Sequence, residues 1–447
     1  MNAGQDHEAR KAALLATLQA GEAGGAPLGL HKRTSNLFRD RKESAKRRLD
    51  LGTFNHVLEV DPAEGWVDVE GLTTFEALVD QTLPHGVMPA VVPQLKTITV
   101  GGAAAGVGIE ATSFRQGLVH DTLLALDVLL PGGDIVHCTP HNEHADLFHG
   151  FPNSYGTLGY ALRLRMRTLP VRPFARVDHV RYSDPQVYFR DVGRACESDA
   201  DFVDGVVFSP DSLILSTARF VDTAPWQSDY GYQHIYYRSL LHKTTDYLNV
   251  RDYLWRWDTD WFWCSKNVYA QNWLVRRLLG RERLNSRTYT RIMRWNARWG
   301  LTRALSRLRG DHPESVIQDV DIPIEHAPEF LAFLLREIGL LPIWICPVRP
   351  PQAQFTLYPL REGTRYVNFG FWDVVHSLAA HEPGHYNRLV EAEVLRLGGI
   401  KSLYSDSFFD RETFARAYNM AAYEPLKRKY DPGGRTLGLY EKVVLRA

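Results

Sequence analysis

Cysteine is scarce in this chain: Cys138, Cys196, Cys264 and Cys346 are the only four in 447 residues, and no two form a Cys-x-x-Cys pair. That scarcity excludes a disulfide framework and a thiolate zinc site, and it fits a reducing compartment. Net charge is missing too, with 52 Lys and Arg against 52 Asp and Glu, so bulk charge selects no partner. There is no uninterrupted apolar run of about 18 residues and no opening hydrophobic segment of the signal-peptide kind. The expectation is a cytoplasmic protein. Its apolar content of 45% is that of a globular chain, and its length allows two or more domains.

What the chain has instead is nearly bare backbone around residue 100. Residues 97–117 read TITVGGAAAGVGIEATSFRQG. The run Thr97, Ile98, Thr99, Val100 ends in Gly101-Gly102, and Ala103, Ala104, Ala105, Gly106 and Gly108 follow. Main-chain N–H groups so uncovered can converge on an anionic phosphate, which makes this a candidate nucleotide-cofactor loop. Gly106 to Ala111 also satisfies the G-x-G-x-x-A dinucleotide pattern, with Asp127 about 20 residues further on. A Rossmann unit needs a helix directly after its glycines. Here TSFRQGLVH lacks a 3.6-residue period, and TLLALDVLLPGGDIVHC continues as two apolar runs joined by Pro131-Gly132-Gly133-Asp134, a hairpin signal. A purely structural Gly/Ala loop is the remaining alternative.

Around this stretch the chain divides into residues 1–30 (a short helix over 6–20 and a flexible lead), 31–172, 173–385 and 386–447. His31 to Asn36 set small polar groups beside Lys32 and Arg33, suited either to phosphate or to a solvated face. HVLEVD, PAEG and WVDVEGL form a strand–turn–strand pair. Residues 74–83 form a helix with Glu76 three residues after a Thr cap. A loop from Ser154 to Gly159 then precedes the strand LGYALRLRMRTLP.

These motifs, in this order, carry a resemblance. VDPAEGWVDVEGLTTFEAL, TVGGAAAGVGIEATSFRQG, GGDIVHCTP and SYGTLGY resemble the flavin domain of the vanillyl-alcohol-oxidase type. Within it the likeness runs to the Δ24-sterol reductases, continuing in VIQDV, PIWICP and GGIKSLYSDSFFDRETF and covering most of residues 50–430. The resemblance implies an α+β fold: a two-lobed FAD-binding domain with an inserted α+β substrate domain. It implies FAD held by Thr97, Thr99, Val100, Gly101, Gly102, Ala103, Ala104, Ala105, Gly106, Gly108, Ile109, Glu110 and Ser113, and by Ser154, Gly156, Thr157 and Gly159. The chain departs from the family in two places. KRTSN stands where relatives carry a glycine-rich phosphate loop, and the histidine that tethers flavin in many relatives is missing, so FAD is expected to be non-covalent.

The middle of the chain changes composition. Seven of eleven tryptophans lie between Trp255 and Trp299, and from Arg276 to Arg309 there are eleven arginines against one acid, Glu282. Such a basic, Trp-bearing amphipathic stretch over 255–309 suits an anionic lipid surface or a core-facing helix pair with a solvated Arg face. No nucleic-acid fold signature accompanies it. The histidines near 137–149 straddle a turn after a strand, in a segment that resembles a non-metal part of the flavin domain, and no metal is expected there. None is expected at the HEPGH of 381–385 either, because Pro-Gly breaks the helix that HExxH needs.

Toward the C-terminus, residues 401–406 read as a strand and Asp410 as a helix cap. Tyr404 and Asp406 match the family's LYxD pattern and, with Lys401, are the candidate catalytic residues. Asp319 is a further proton-donor candidate, and Lys32 a further charge partner for flavin. Reducing an isolated alkene requires an acid that is still protonated at neutral pH, and an apolar pocket keeps a carboxyl in that form. The expected activity is FAD-dependent reduction of a carbon–carbon double bond in a lipid, a sterol side chain or a methylene-branched fatty-acyl chain, with NADPH as electron donor. An FAD-dependent alcohol or sugar oxidase is the alternative, and a lipid-binding protein that keeps FAD structurally is a third.

Overall fold

The computed structural model describes residues 3–20, 27–32, 38–39, 47–299 and 311–446. Three sheets organise it. Strands β1 (Leu28–His31) and β2 (Arg47–Asp50) pair in parallel. A six-stranded antiparallel sheet takes β3 (Val57–Asp61), β4 (Trp66–Glu70), β5 (Val87–Pro89), β6 (Leu123–Leu129), β7 (Ile135–Cys138) and β8 (Tyr160–Pro170), in the order β3-β4-β8-β6-β7 with β5 also beside β8. An eight-stranded antiparallel sheet takes β9 (Phe174–Tyr182), β10 (Phe202–Ser209), β11 (Ser212–Val221), β12 (Thr245–Asn249), β13 (His312–Pro323), β14 (Ile343–Val348), β15 (Tyr366–Ser377) and β16 (Ile400–Lys401). Its order is β12-β9-β11-β10-β14-β15-β13-β16.

Side-chain alternation explains how the layers stack. Along β8, Leu162, Leu164 and Met166 are buried while Arg163, Arg165 and Arg167 turn the other way. On β14, Ile343 and Ile345 pack under the helices 185–196, 327–333 and 385–396. Trp344 and Cys346, on the opposite face, join the core shared with the six-stranded sheet. The eight-stranded sheet therefore presents a helix-covered face and a second face toward the glycine stretch.

Local signals shaped the elements much as expected, with three differences. The PGGD turn joins β6 to β7, Leu129 facing Ile135. Helix α1 (Ala3–Ala20) docks on buried Glu70 through His7 Nδ1 (2.7 Å) and Arg10 Nη2 (2.6 Å). Helix α2 (Phe75–Thr82) is capped by Thr74, whose Oγ1 accepts from the Ala77 amide at 3.3 Å, one residue later than the Thr that the spacing from Glu76 marks.

The bare stretch is not a loop throughout: Val100–Ala105 is a short helix, α3, whose cap Thr99 accepts the Gly102 amide at 3.3 Å. It lies against main chain. The Gly101 amide donates to the Gly71 carbonyl at 2.8 Å, and a Cβ on Gly101 would also stand 2.8 Å from that oxygen. Glycine is needed there for close approach, not for unusual dihedrals.

The expected strand 401–406 is strand only at Ile400–Lys401. The Lys401 ammonium folds back onto the Asp406 carbonyl, which closes these residues into a loop. Arg33–Asn36 and the arginine-rich residues 300–309 lie outside the described residues.

Candidate active site

A cavity of about 450 Å³ opens between α3 and the uncovered face of the eight-stranded sheet. Thr99, Gly101, Gly102, Ala103, Ala105, Gly106, Gly108 and Ile109 form one wall, and Gly156 and Gly159 extend it. Side chains would fill this wall. A Cβ at Gly102 would lie 3.1 Å from Lys32 Nζ, and one at Gly156 would lie 2.9 Å from the Tyr160 ring. Gly156 also adopts φ 75°, a left-handed conformation that other residues resist.

At the same end the fold gathers cations that are distant in sequence. Lys32 Nζ donates to Thr99 Oγ1 (2.7 Å), and the Arg39 guanidinium stacks 4.9 Å over the Tyr155 ring. Lys442 Nζ donates to the Tyr155 carbonyl (2.6 Å), and Arg446 lines the cavity with Asp406 behind it at 3.4 Å. Among the described lining residues only Asp319 and Asp373 are acidic, and Asp373 is paired with Lys266 at 2.6 Å. Sequence reasoning named Lys32 but missed Arg39, Lys442 and Arg446. No local signal marks them, since their neighbours are ordinary charged segments.

The other end is aromatic. Trp261, Phe262, Trp344 and Trp372 line it, with the Phe262 and Trp372 rings 4.4 Å apart. Trp261 (φ 45°) and Phe262 (φ 59°) both hold left-handed backbone, which costs about 1–3 kcal/mol each and is sustained by this packing. In their midst lies Asp319. Trp372 Nε1 donates to the Tyr404 hydroxyl at 2.8 Å, and that hydroxyl in turn bonds the Asp319 carboxyl. Asp319 Oδ1 makes no hydrogen bond within the protein. Burial lifts the Asp319 carboxyl to about 7, against the opposing bond from Tyr404, with the Asp321 charge adding to the rise. The arrangement keeps about half of this carboxyl protonated at pH 7 against an apolar wall, and so can deliver a proton.

The remaining site candidates sit elsewhere. Lys401 pairs in register with Val320, whose side chain lies on the helix-covered face. Residues paired across strands share a face, so Lys401 points away from the cavity and bonds Glu391 at 2.7 Å. Its ammonium also bonds the Asp406 carbonyl, which ties down the loop that carries Tyr404. Asp406 stands behind Arg446 and does not line the cavity. Glu110 is buried against Arg256 (3.2 Å), which also holds Asp204 (2.8 Å), so this acid ties the glycine stretch to β10 instead of facing the cavity.

Ser113 Oγ accepts the Glu110 amide (3.1 Å). Thr157 Oγ1 donates to the Ser154 carbonyl (2.8 Å), while the Thr157 carbonyl receives Lys427 and Thr436. Val100 and Ala104 pack into the core, and Thr97 lies outside the lining. Asp127 bonds His137 at 2.6 Å on the outer face of the six-stranded sheet and does not line this cavity. A second hollow of about 460 Å³ lies on that face, but its Asp68 and Asp127 neutralise Arg163 and Arg165.

A bare cradle, a cluster of four cations and an aromatic end suit a ligand with a diphosphate and a flat ring system, which is the chemistry of FAD. Comparison with known proteins agrees: residues 10–139 match the FAD binding domain family. The protein is an FAD-binding oxidoreductase that resembles the Δ24-sterol reductases. The Arabidopsis thaliana Δ24-sterol reductase is 25% identical over 90% of this chain and 77% of its own length. The Homo sapiens enzyme is 26% identical over 88% of this chain and 76% of its own. Cytokinin dehydrogenase 5 of Arabidopsis thaliana is 30% identical, but only over 35% of this chain.

Proposed function

We propose that the protein reduces a carbon–carbon double bond in a lipid, adding a hydride and a proton across it, and that Asp319 supplies the proton. FAD, when bound, supplies the hydride chemistry, with NADPH as its reductant. The observation that carries this reading is the acid itself: Asp319, raised to about 7, lines the aromatic end of the cavity. Tyr404 fixes the carboxyl's orientation through its hydrogen bond, and Trp372 fixes Tyr404. Trp261, Phe262 and Trp344 exclude water and leave little for a hydroxylated substrate to bond. The eight-stranded sheet is read as the substrate domain.

The relatives' names point to a sterol side chain, and a methylene-branched fatty-acyl chain offers the same alkene to the same wall. An alcohol or sugar oxidase needs a base to take the hydroxyl proton, and the apolar wall around Asp319 favours an alkene over a hydroxylated substrate. We further propose a cytoplasmic protein held peripherally at an anionic membrane surface through residues 255–309. No helix among the described residues is long and apolar enough to cross a membrane.

The test is to load the protein with FAD, add NADPH without oxygen, and offer alkene lipids and alcohols separately. A lipid that gains two hydrogens supports the reading. Oxidation of an alcohol with no alkene reduction refutes it. Denaturation in SDS is expected to release the flavin from the polypeptide.

A further inference from the structure

The helix Trp273–Leu279 is packed the wrong way round for water. Its Arg276 is buried, with Nη1 on Asp260 Oδ1 (2.5 Å) and Nε on the Tyr232 carbonyl (2.6 Å). Three of its apolar residues face outward instead, Trp273 (61% exposed), Leu274 and Leu278 (81%), while Val275 and Leu279 are half-buried. The preceding turn adds Tyr269, 79% exposed, and the next helix, Ser286–Trp299, adds Ile292 and Trp295. Single exposed apolar side chains are ordinary on a soluble protein. A cluster of them beside an arginine turned inward is not.

Exposed arginines surround the cluster: Arg277, Arg281, Arg283, Arg287 and Arg291 stand against the one acid of this stretch, Glu282. Arg281 engages Asp229 and Arg287 engages Glu76, so the rim is partly neutralised but keeps a positive excess. The second helix also backs the cavity. Met293 of the second helix lines it, as do Cys264 and Asn267 just before Tyr269, and Tyr289 is buried with its hydroxyl on the Thr259 carbonyl (2.7 Å). On this second helix Ile292 and Trp295 are exposed while Met293 lines the cavity, so it stands between the apolar cluster and the cavity.

We propose that residues 269–295 form the face by which this protein inserts shallowly into the surface of an anionic phospholipid bilayer, and that a lipid passes from the bilayer to the cavity beside this helix. The passage rests on the lipid reading of the site; the insertion does not. Charge decides the occupant. A second copy meeting this face across a two-fold axis would bring arginine against arginine. An anionic bilayer gives each arginine a partner and takes Trp, Tyr and Leu to the depth where they are favoured.

The experiment sediments the FAD-loaded full chain with phosphatidylcholine vesicles, and with vesicles in which part of that lipid is replaced by phosphatidylglycerol. Pelleting is expected with the anionic vesicles only, weakening as salt rises. The double variant Trp273→Ser, Leu278→Ser is expected to lower the partition by about tenfold or more. Its flavin absorbance, thermal midpoint and turnover of a detergent-dispersed alkene lipid should stay unchanged. Arg277→Glu with Arg283→Glu is expected to weaken anionic binding with the apolar face intact. Three outcomes overturn the assignment: equal pelleting of wild type and the Trp/Leu variant, equal binding to both vesicle types, or a dimer in solution that this variant dissolves. Vesicle binding without alkene reduction would sink the proposed function and leave the membrane face standing.

Discussion

Replacing Asp319 with asparagine separates the proton from everything else that this carboxyl does. Asparagine keeps the shape and can still accept the Tyr404 hydroxyl, so the packing of the aromatic end is expected to survive. In the wild type, burial raises the group from an ordinary 3.8 to about 7. At pH 8 about one molecule in ten then carries the acid, and the reduction rate is expected to fall about tenfold per pH unit above 7. Asp319→Asn is expected to lower alkene reduction by about 10²–10⁴ and to flatten this pH profile.

Stability moves the other way. A carboxyl whose folded value is raised contributes stability that is complete below 3.8 and is lost as pH rises through about 7. Above 7 the ionised Asp319 is a burden that asparagine lacks. The shift corresponds to roughly 4 kcal/mol. Because the carboxyl opens on the cavity, on the order of 2 kcal/mol is the gain expected of Asp319→Asn at pH 8. The assay follows saturation of the lipid by mass spectrometry across pH, beside thermal unfolding. A variant that keeps its rate within about threefold, or keeps the wild-type pH profile, refutes Asp319 as the donor.

Three other outcomes follow from the same geometry. Lys442→Met and Arg446→Met should each weaken FAD binding about tenfold, read by flavin fluorescence, because each removes a charged donor from the cradle; unchanged affinity would put the diphosphate elsewhere. Arg256→Met leaves Glu110 and Asp204 buried without their cation, and urea unfolding should show a loss of about 3–5 kcal/mol, whereas a loss under about 1 kcal/mol would mean that the two sheets are not joined there. Despite burial, bonds from His7, Arg10 and His56 hold Glu70 at about 2, so the docking of α1 is supported above 4.5 and lost as pH falls through about 2. Glu70→Gln should expose residues 3–20 to protease at neutral pH; protection equal to wild type would contradict this.

What the residues determined by themselves is local. The Gly/Ala run near 100, the PGGD hairpin, the Asp410 cap and the alternation of β8 each act within a few residues, because main-chain approach, turn dihedrals and burial pattern are set by neighbours in the chain. The aromatic and basic character of 255–309 is likewise compositional.

The site's chemistry is not local. Tertiary structure alone placed Asp319 and not Asp406 in the cavity lining, and turned Lys401 away, because strand pairing assigns a face and Lys401 lies opposite Val320. It also brought Lys442 and Arg446 to a cradle begun by Lys32, and it turned Arg276 inward so that Trp273 and Leu278 face out. Which acid stays protonated depends on what surrounds it in space, and a linear sequence holds no record of that distance.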